Sequence, residues 1–154
     1  MTNLPESVAS VLHKELDETI ERWMQRVDEV PSLSAISLTY QERTGHLPQL
    51  VTDLILRLGL APDAKRPLTL SAQNHGKVRF RQGYSVPLLV EESRLLQVSL
   101  FDTLRRNQTR LIPGEMMQSV ITIADECDAQ LKDTVETFMR LEKQESALVD
   151  GDLQ

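Results

Sequence analysis

Apolar side chains recur every three or four residues along most of the chain, which places them on one face of an α-helix. The first such stripe consists of Val8, Leu12, Leu16, Ile20, Trp23, Val27 and Val30. Asn3, with Glu6 three residues later, suits a helix start, and Pro31 suits a helix end. The pattern therefore predicts one long amphipathic helix from residue 3 to residue 30.

The next helical segment carries two strong local signals. Thr39 and Glu42 have the spacing of a capping box, in which each side chain binds the backbone amide of the other residue. Gly45 and Pro48 then interrupt the pattern, and Pro48 is tolerated only in the first turn of a helix. We expect a short helix followed by a longer one, whose apolar positions are Leu47, Leu50, Val51, Leu54 and Leu58.

Two further helices are predicted around a tight connection, one over residues 68–83 and the other beginning at Ser85 as its N-cap. Gly83 and Ser85 leave room only for a short turn, so the two helices should run antiparallel and face each other. The second helix has apolar residues on nearly every side, a pattern typical of a central, buried helix.

The last predicted helix runs from Pro113 to about Gln144. Its expected core-facing positions are Met117, Val120, Ala124, Cys127, Leu131, Val135 and Phe138. This helix is longer than a small bundle needs, which suggests pairing with its copy or transmission to a partner; a helix that simply projects is the alternative. We predict an all-α protein of five to six helices, either globin-like or a helical bundle. It consists of one domain over residues 1–145 and a flexible acidic tail over residues 146–154.

Composition narrows the class of protein. A length of 154 residues suits a single domain, and 4% aromatic residues with much Leu, Glu and Arg favours helix. The net charge of −6, without a Lys/Arg cluster, argues against nucleic acid. The sequence has no apolar run of about 20 residues and no signal-peptide pattern, so we expect a cytoplasmic protein without membrane insertion. Cys127 is the single cysteine, which excludes an internal disulfide.

The stretch "HGKVRFRQGYS" (residues 75–85) is the main candidate for function. His75, Arg79 and Gln82 share one helical face where apolar residues are normally found. Glu92 lies in the apolar stripe of the following helix, where a carboxylate is costly unless it is paired. We predict a buried network of these four residues near Tyr84, with Arg79 binding the carboxylate through two parallel hydrogen bonds.

This network has two interpretations that the sequence leaves open. A polar cluster between helices often fixes their register without binding anything. The functional interpretation is a pocket for a small anion, or a pH-sensitive switch at His75. Gly76 fits both, because it allows a helix or a ligand to come close.

Other chemistry has little support. The sequence contains no HExxH or CxxC motif, so we expect no metal site and no cofactor. Haem in a helical fold needs only one histidine, which leaves a haem sensor with His46 or His75 as the axial ligand as an alternative. A third possibility is a small enzyme that uses Arg79 and Glu92.

Three blocks of sequence resemble a known family. They are "ERWMQRV" (residues 21–27), "HLPQLVTDL" (46–54) and "HGKVRFRQGYSVPLLVEESRLLQ" (75–97), and the last is the most specific. The family is the RsbT co-antagonist RsbRD-type N-terminal domain, also found at the amino end of bacterial sensor histidine kinases. The resemblance covers roughly residues 8 to 140.

The resemblance implies a helical, globin-related input domain that does no chemistry and usually lacks haem. In such proteins it precedes a STAS domain or a kinase core, signals through its last helix and is commonly a dimer. This chain ends soon after the domain, so it is either part of a larger sensor or a regulator that acts through a partner. We therefore expect a non-enzymatic sensory module that dimerises through its first and last helices and acts on a kinase or STAS-type partner. The family supplies no ligand residues.

Overall fold

The computed structural model describes residues 4–152, and this part of the chain is helical with no strand. The all-α class predicted from the sequence is therefore confirmed for these residues. The chain is divided more finely than the predicted five to six helices. The elements are α1 (Val8–Lys14), α2 (Leu16–Asp28), α3 (Pro31–Ser34), α4 (Tyr40–Thr44), α5 (Leu47–Leu58), α6 (Ser71–Arg81), α7 (Val86–Arg106), a 3-10 turn (Gln108–Arg110) and α8 (Met116–Asp152).

The predicted first helix is broken in two. Its expected start, Asn3, lies outside the described residues, and α1 begins after Ser7, whose hydroxyl accepts a hydrogen bond from the Ser10 amide at 3.1 Å. The chain leaves helical geometry at Glu15, with φ −100° and ψ 17°, and α2 follows. Arg110 Nη1 donates to the Glu15 carboxylate at 2.7 Å and anchors this bend. Helical periodicity gives no sign of such a contact between distant segments.

The local signals before α4 and α5 are confirmed. The Thr39 hydroxyl accepts from the Glu42 amide at 3.1 Å, and the Glu42 carboxylate accepts from the Thr39 amide at 2.9 Å. Gly45 ends α4, and Pro48 lies in the first turn of α5. This arrangement fixes the carboxyl end of α4 beside the predicted network.

A tight turn joins α6 to α7, as predicted. Gly83 has a φ of 84°, a conformation that side chains disfavour, and Ser85 is the extended residue before α7. However, α6 begins only at Ser71, because Leu68 and Leu70 are exposed and have no core to bury them. The backbone of α6 packs most extensively against α8, and α6 meets α7 mainly through long side chains.

Helix α7 packs against α2 and α8, but it is not buried on all sides as predicted. Leu89 and Leu100 are fully buried, whereas Val90 and Val98 are 44% and 40% exposed. One side of α7 therefore faces outward, because no element of the described chain covers it.

Helix α8 begins at Met116, after a turn in which Gly114 has a φ of 85°, and not at Pro113. The predicted core stripe is confirmed at Cys127 and Phe138, which are buried, and Leu131 and Val135 pack against the core, but Met117 is 72% exposed. The buried positions are Ser119, Ile123, Glu126, Cys127, Gln130, Thr134, Thr137 and Phe138. Part of this polar face is satisfied inside the protein: Gln130 and Thr134 donate to backbone carbonyls of α5 and α6, and Glu126 pairs with Arg57 and Arg66.

The structure shows residues 146–152 of the predicted acidic tail as the last turns of α8. The fully buried positions of α8 end at Phe138, and residues 142–151 are all exposed. Residues 153–154 lie outside the described part. The final turns of α8 therefore extend beyond the packed domain.

Candidate functional site

Three of the predicted residues meet in a buried ionic cluster between α6 and α7. His75 Nε2 lies 2.8 Å from Glu92 Oε1, and Arg79 Nε donates to the same oxygen at 2.9 Å. His75, Arg79 and Glu92 are 6%, 1% and 4% exposed. Because the carboxylate receives the His75 hydrogen bond, we assign the imidazole proton to Nε2.

Arg79 also joins this cluster to the end of α4. Its Nη1 donates to Gln82 Oε1 at 2.6 Å, and its Nη2 donates to the Arg43 backbone oxygen at 2.6 Å. The prediction that Arg79 donates two parallel hydrogen bonds to Glu92 was wrong. Nη1 and Nη2 are engaged by these other acceptors, so only Nε donates to the carboxylate. Arg79 therefore connects α4, α6 and α7 in one network.

Tyr84 extends the network on the other side of Arg79. The Arg79 guanidinium lies over the Tyr84 ring, 4.6 Å from the ring centre, in a cation–π contact. The Tyr84 hydroxyl accepts a hydrogen bond from Arg43 Nη1 at 2.7 Å. All five predicted residues, His75, Arg79, Gln82, Tyr84 and Glu92, thus lie in one connected group.

Arg43 is a member of this group that the sequence reasoning missed. It is 4% exposed, and its Nη2 donates to the Ile36 backbone oxygen at 2.6 Å. A signal was present, because Arg43 continues the helical spacing of the buried residues Leu47, Leu50 and Leu54. A charged residue at the helical spacing of buried apolar residues is expected to be buried too, paired with a hydrogen-bonding or charged group.

The charges of the site follow from its burial and contacts. Burial by itself raises the pKa of Glu92, but hydrogen bonds and charge attraction from His75 and Arg79 outweigh it and lower the pKa. Burial, and then the negative charge of Glu92, raises the pKa of Tyr84 to about 12. The Tyr84 side chain faces the Glu92 carboxylate, and this contact adds to the rise in the Tyr84 pKa. The network thus holds an ionised Glu92 and a protonated Tyr84.

His46 lies at the edge of the network. Its ring meets the His75 ring edge-on, with 5.7 Å between centres. Burial lowers the pKa of His46, and the neighbouring His75 and Arg79 lower it further. His46 is the more exposed of the two histidines.

A small cavity adjoins the network. It has a volume of about 30 Å³, and its mainly apolar wall includes Trp23, Leu89 and Cys127 together with His75 and Glu92. The Trp23 indole Nε1 donates to the Glu92 backbone oxygen at 3.0 Å, which holds the aromatic wall in place. Within the described residues, His75 Nδ1 and Glu92 Oε2 are buried without a hydrogen-bond partner.

These dimensions do not fit the haem alternative. Cofactor pockets commonly measure about 300 to 1,000 Å³, far more than this cavity provides. In addition, His75 Nε2 is engaged by Glu92, and His46 does not line the cavity. Over residues 4–152, no three His, Cys, Asp or Glu side chains form a group that could hold a metal ion.

The network is connected directly to α8. A Cβ atom at Gly76 would lie 2.6 Å from the Thr134 backbone oxygen, so the two helices touch beside His75. The Thr134 hydroxyl donates to the Ala72 backbone oxygen at 3.1 Å, and Gln130 Nε2 donates to the Leu50 backbone oxygen at 2.9 Å. A change in the position of α6 must therefore be accommodated by α8.

Comparison of the chain with protein-family models, curated proteins and solved structures gives no match in any of the three. The resemblance to the RsbRD-type domain therefore rests on the three sequence blocks and remains a prediction. In the described part of the chain, every helix is too short or too polar to cross a bilayer.

Proposed function

We propose that this protein is a non-enzymatic regulatory input module of signal transduction. In this proposal it works as a homodimer in the cytoplasm and passes a change in its interior through α8 to a kinase or STAS-type partner. The resemblance in residues 75–97 supports this setting and a globin-like arrangement of the helices. The structure supports the route of transmission.

The single observation that carries the proposal is the length of α8 beyond the packed domain. A helix of 37 residues is about 56 Å long, and the segment 139–152 makes up about 21 Å of it. Residues 142–151 are exposed and make no contribution to the core. A stiff helix end without a role in folding suits contact with a partner.

The other end of this route is the buried network. Arg79 and Glu92 fix the relative positions of α4, α6 and α7, and Gly76 places α6 directly on α8. A change in hydrogen bonding at Glu92 would shift α6, and the close contact would transfer that shift to α8. The donors of Arg79 are occupied by protein acceptors, which suits positioning better than the enzymatic alternative.

The proposed dimer uses the outward side of α7 and α8, which we call the α7–α8 face. Its apolar residues are exposed or half-buried: Val90, Val98, Phe101, Met117, Val120, Ile121 and Leu131. The α8 members Met117, Ile121, Ala124, Asp128, Leu131 and Val135 alternate steps of four and three, the repeat of a helix that pairs with another. By contrast, the exposed side of α1 and α2 is polar and charged, which does not support the predicted contribution of the first helix.

Charge complementarity favours a second copy as the occupant of this face. Arg94 of α7 and Asp128 of α8 border the same groove from opposite sides, and no salt bridge joins them within the described chain. Arg94 pairs with its neighbour Glu91, whereas Asp128 is exposed. A twofold arrangement that places α8 of one copy over α7 of the other brings each Asp128 to the partner's arginine-bearing helix.

The transmission route can be tested by spin labels on Leu148→Cys, near the free end of α8. Burial raises the pKa of the native Cys127 to about 12, so the label should react only at the new thiol. We expect Glu92→Gln to change the distance distribution between the two labels of the dimer. Glu21→Gln, on the exposed side of α2, serves as the control. Identical distributions in the parent and both variants would refute transmission from the network to α8.

A further inference from the structure

A second cavity, with a volume of about 170 Å³, lies between the start of α8 and the loop that follows α5. One wall is a polar helical face formed by Glu115, Gln118, Ser119 and Thr122. The opposite wall belongs to the loop and is apolar, with Leu58, Leu60, Ala61, Pro62 and Ala64. This cavity uses a different side of α8 from the α7–α8 face.

Ion pairs hold the loop over this side of α8. Arg66 donates to both oxygens of Glu126, at 2.8 and 3.1 Å, and to Asp133 at 3.0 Å. Arg57, near the carboxyl end of α5, pairs with Asp125 and Glu126. Glu126 is only 3% exposed, so the main anchor lies inside the protein. The cavity is therefore enclosed by two segments whose relative position is fixed.

The charges that border the cavity are not balanced. Both outer nitrogens of Arg57 donate to carboxylates of α8, so the positive charge of Arg57 is already compensated. Glu115 is the other charged residue of the wall. Within residues 4–152 it forms no ion pair, and its one side-chain hydrogen bond comes from the Val8 amide, at 3.2 Å to Oε1. The partial positive charge at the amino end of α8 is offset by the carboxyl end of α5, whose last residue Leu58 also lines the cavity. Glu115 thus gives the cavity one uncompensated negative charge.

Ser119 adds a second acceptor to the same wall. It is 6% exposed, and its hydroxyl has no hydrogen-bond partner among the described residues. Its oxygen and Oε2 of Glu115 are not among the fully enclosed polar atoms, so both keep contact with open space beside the cavity that these residues line. The Thr122 hydroxyl donates its proton to the Gln118 backbone oxygen at 3.1 Å, which leaves its oxygen as an acceptor. The wall on α8 therefore favours a molecule that brings hydrogen-bond donors.

A primary ammonium group matches this wall because it combines a positive charge with three N–H donors and no acceptor. A water molecule needs about 10 to 15 Å³ of such space, so the volume of about 170 Å³ holds roughly ten non-hydrogen atoms. We propose that the cavity binds a small aliphatic amine. Its ammonium group lies at Glu115 and Ser119, and its carbon chain lies along Leu60 and Pro62. This site does not depend on the proposed function, since amine binding requires neither a dimer nor the buried network.

The test uses proton–nitrogen NMR spectra of the intact protein, with the amide signals of Ala61, Ala64 and Ser119 as reporters because these residues line the cavity. The probes are n-butylamine, 1-butanol and butyrate at equal ionic strength, which share a short carbon chain and differ in the head group. We expect n-butylamine to shift the signals saturably, with a Kd of about 1 mM or weaker for so small a ligand. Binding of 1-butanol should be about tenfold weaker, and butyrate should give no saturable shift.

Three variants locate the effect. Glu115→Gln keeps an oxygen for the Val8 amide but removes the charge, so it should abolish the saturable response to n-butylamine. Ser119→Ala should weaken binding several-fold. Glu142→Gln, at an exposed position of α8 far along the helix, removes the same charge away from the cavity and should leave the response unchanged.

Three results would overturn the proposal. They are the absence of a saturable response to n-butylamine, an equal response to n-butylamine and 1-butanol, and a response that survives Glu115→Gln in a protein that still melts cooperatively.

Discussion

Gly76 of α6 lies against Thr134 of α8 so closely that a Cβ atom at residue 76 would stand 2.6 Å from the Thr134 backbone oxygen. The Cβ of Thr137 would be 3.3 Å away on the same side. Gly76 directly follows His75, a member of the buried network. This contact therefore joins the proposed signal site to the proposed output helix.

Gly76→Ala should separate these helices. Alanine is favoured over glycine within a helix by about 1 kcal/mol, but the clash is with backbone, which cannot rotate away. We expect a net loss of about 1 to 3 kcal/mol in the free energy of unfolding, measured by urea denaturation. Gly59→Ala is the matched control, since its Cβ would meet the nearest atom at 3.5 Å. Equal stabilities of the two variants would disprove the close contact.

Arg79→Met should destabilise the protein strongly. The substitution leaves the Glu92 carboxylate buried without its cation, a situation that typically costs about 3 to 5 kcal/mol. Arg81→Met, at an exposed position two residues later, should change the free energy of unfolding by no more than about 0.5 kcal/mol. Similar small losses in both variants would show that the network does not hold α4, α6 and α7 together.

The double variant Arg79→Met/Glu92→Leu tests whether the ion pair has a role in signalling in addition to its effect on stability. Replacing a whole buried ion pair by apolar residues is often neutral, so the double variant should be more stable than Arg79→Met alone. If the network serves only to fix helix register, the double variant should also keep the parent's distance distribution between labels at residue 148. We expect that distribution to change, as in Glu92→Gln.

The contribution of Glu92 to the free energy of unfolding should decrease as the pH falls. His75 and Arg79 lower its pKa in the folded protein below the ordinary value of 4.5, despite burial, while Tyr84 faces it as a protonated hydroxyl. As the pH falls, Glu92 is therefore protonated in the unfolded chain at a higher pH than in the folded protein. The stabilisation by ionised Glu92 is complete above pH 4.5 and is lost as the pH falls from there past the lower pKa of the folded state. We expect the difference in the free energy of unfolding between the parent and Glu92→Gln, measured by denaturation at a series of pH values, to become smaller below pH 4.5. A constant difference down to strongly acidic pH would contradict the lowered pKa.

Charge reversal should test the α7–α8 face. Asp128→Arg would place like charges opposite each other in the proposed twofold arrangement, and we expect a several-fold weaker dimer by sedimentation. Arg94→Asp in the same chain should restore it. Asp17→Arg, on the exposed side of α2, is the control and should have no effect. Loss of the dimer in Asp17→Arg alone would instead favour the predicted first-helix interface.

Much of the local structure could be predicted because its causes are local. The capping box of Thr39 and Glu42 and the early position of Pro48 depend only on neighbours in the chain. The group around Arg79 was also predictable, since polar residues on an apolar helical face must find partners. The sequence could not show that Arg79 would divide its donors between Glu92 and the end of α4.

The errors arise where tertiary contacts override the pattern. Polar residues such as Gln130 and Thr134 face the core because carbonyls of Leu50 and Ala72 are available to them, which periodicity cannot reveal. The bend at Glu15 depends on Arg110, far away in the chain. Of the predicted apolar stripe of α8, Cys127 and Phe138 do lie in the core, whereas Met117 lies on the outward side.

The most direct test of the proposed function is the molar mass of the purified protein by light scattering on a sizing column. Regulation through α8 and the α7–α8 face requires two copies of the chain, so we expect twice the chain mass of 17.5 kDa at micromolar concentration. A mass of 17.5 kDa, unchanged as the protein is concentrated, would contradict it.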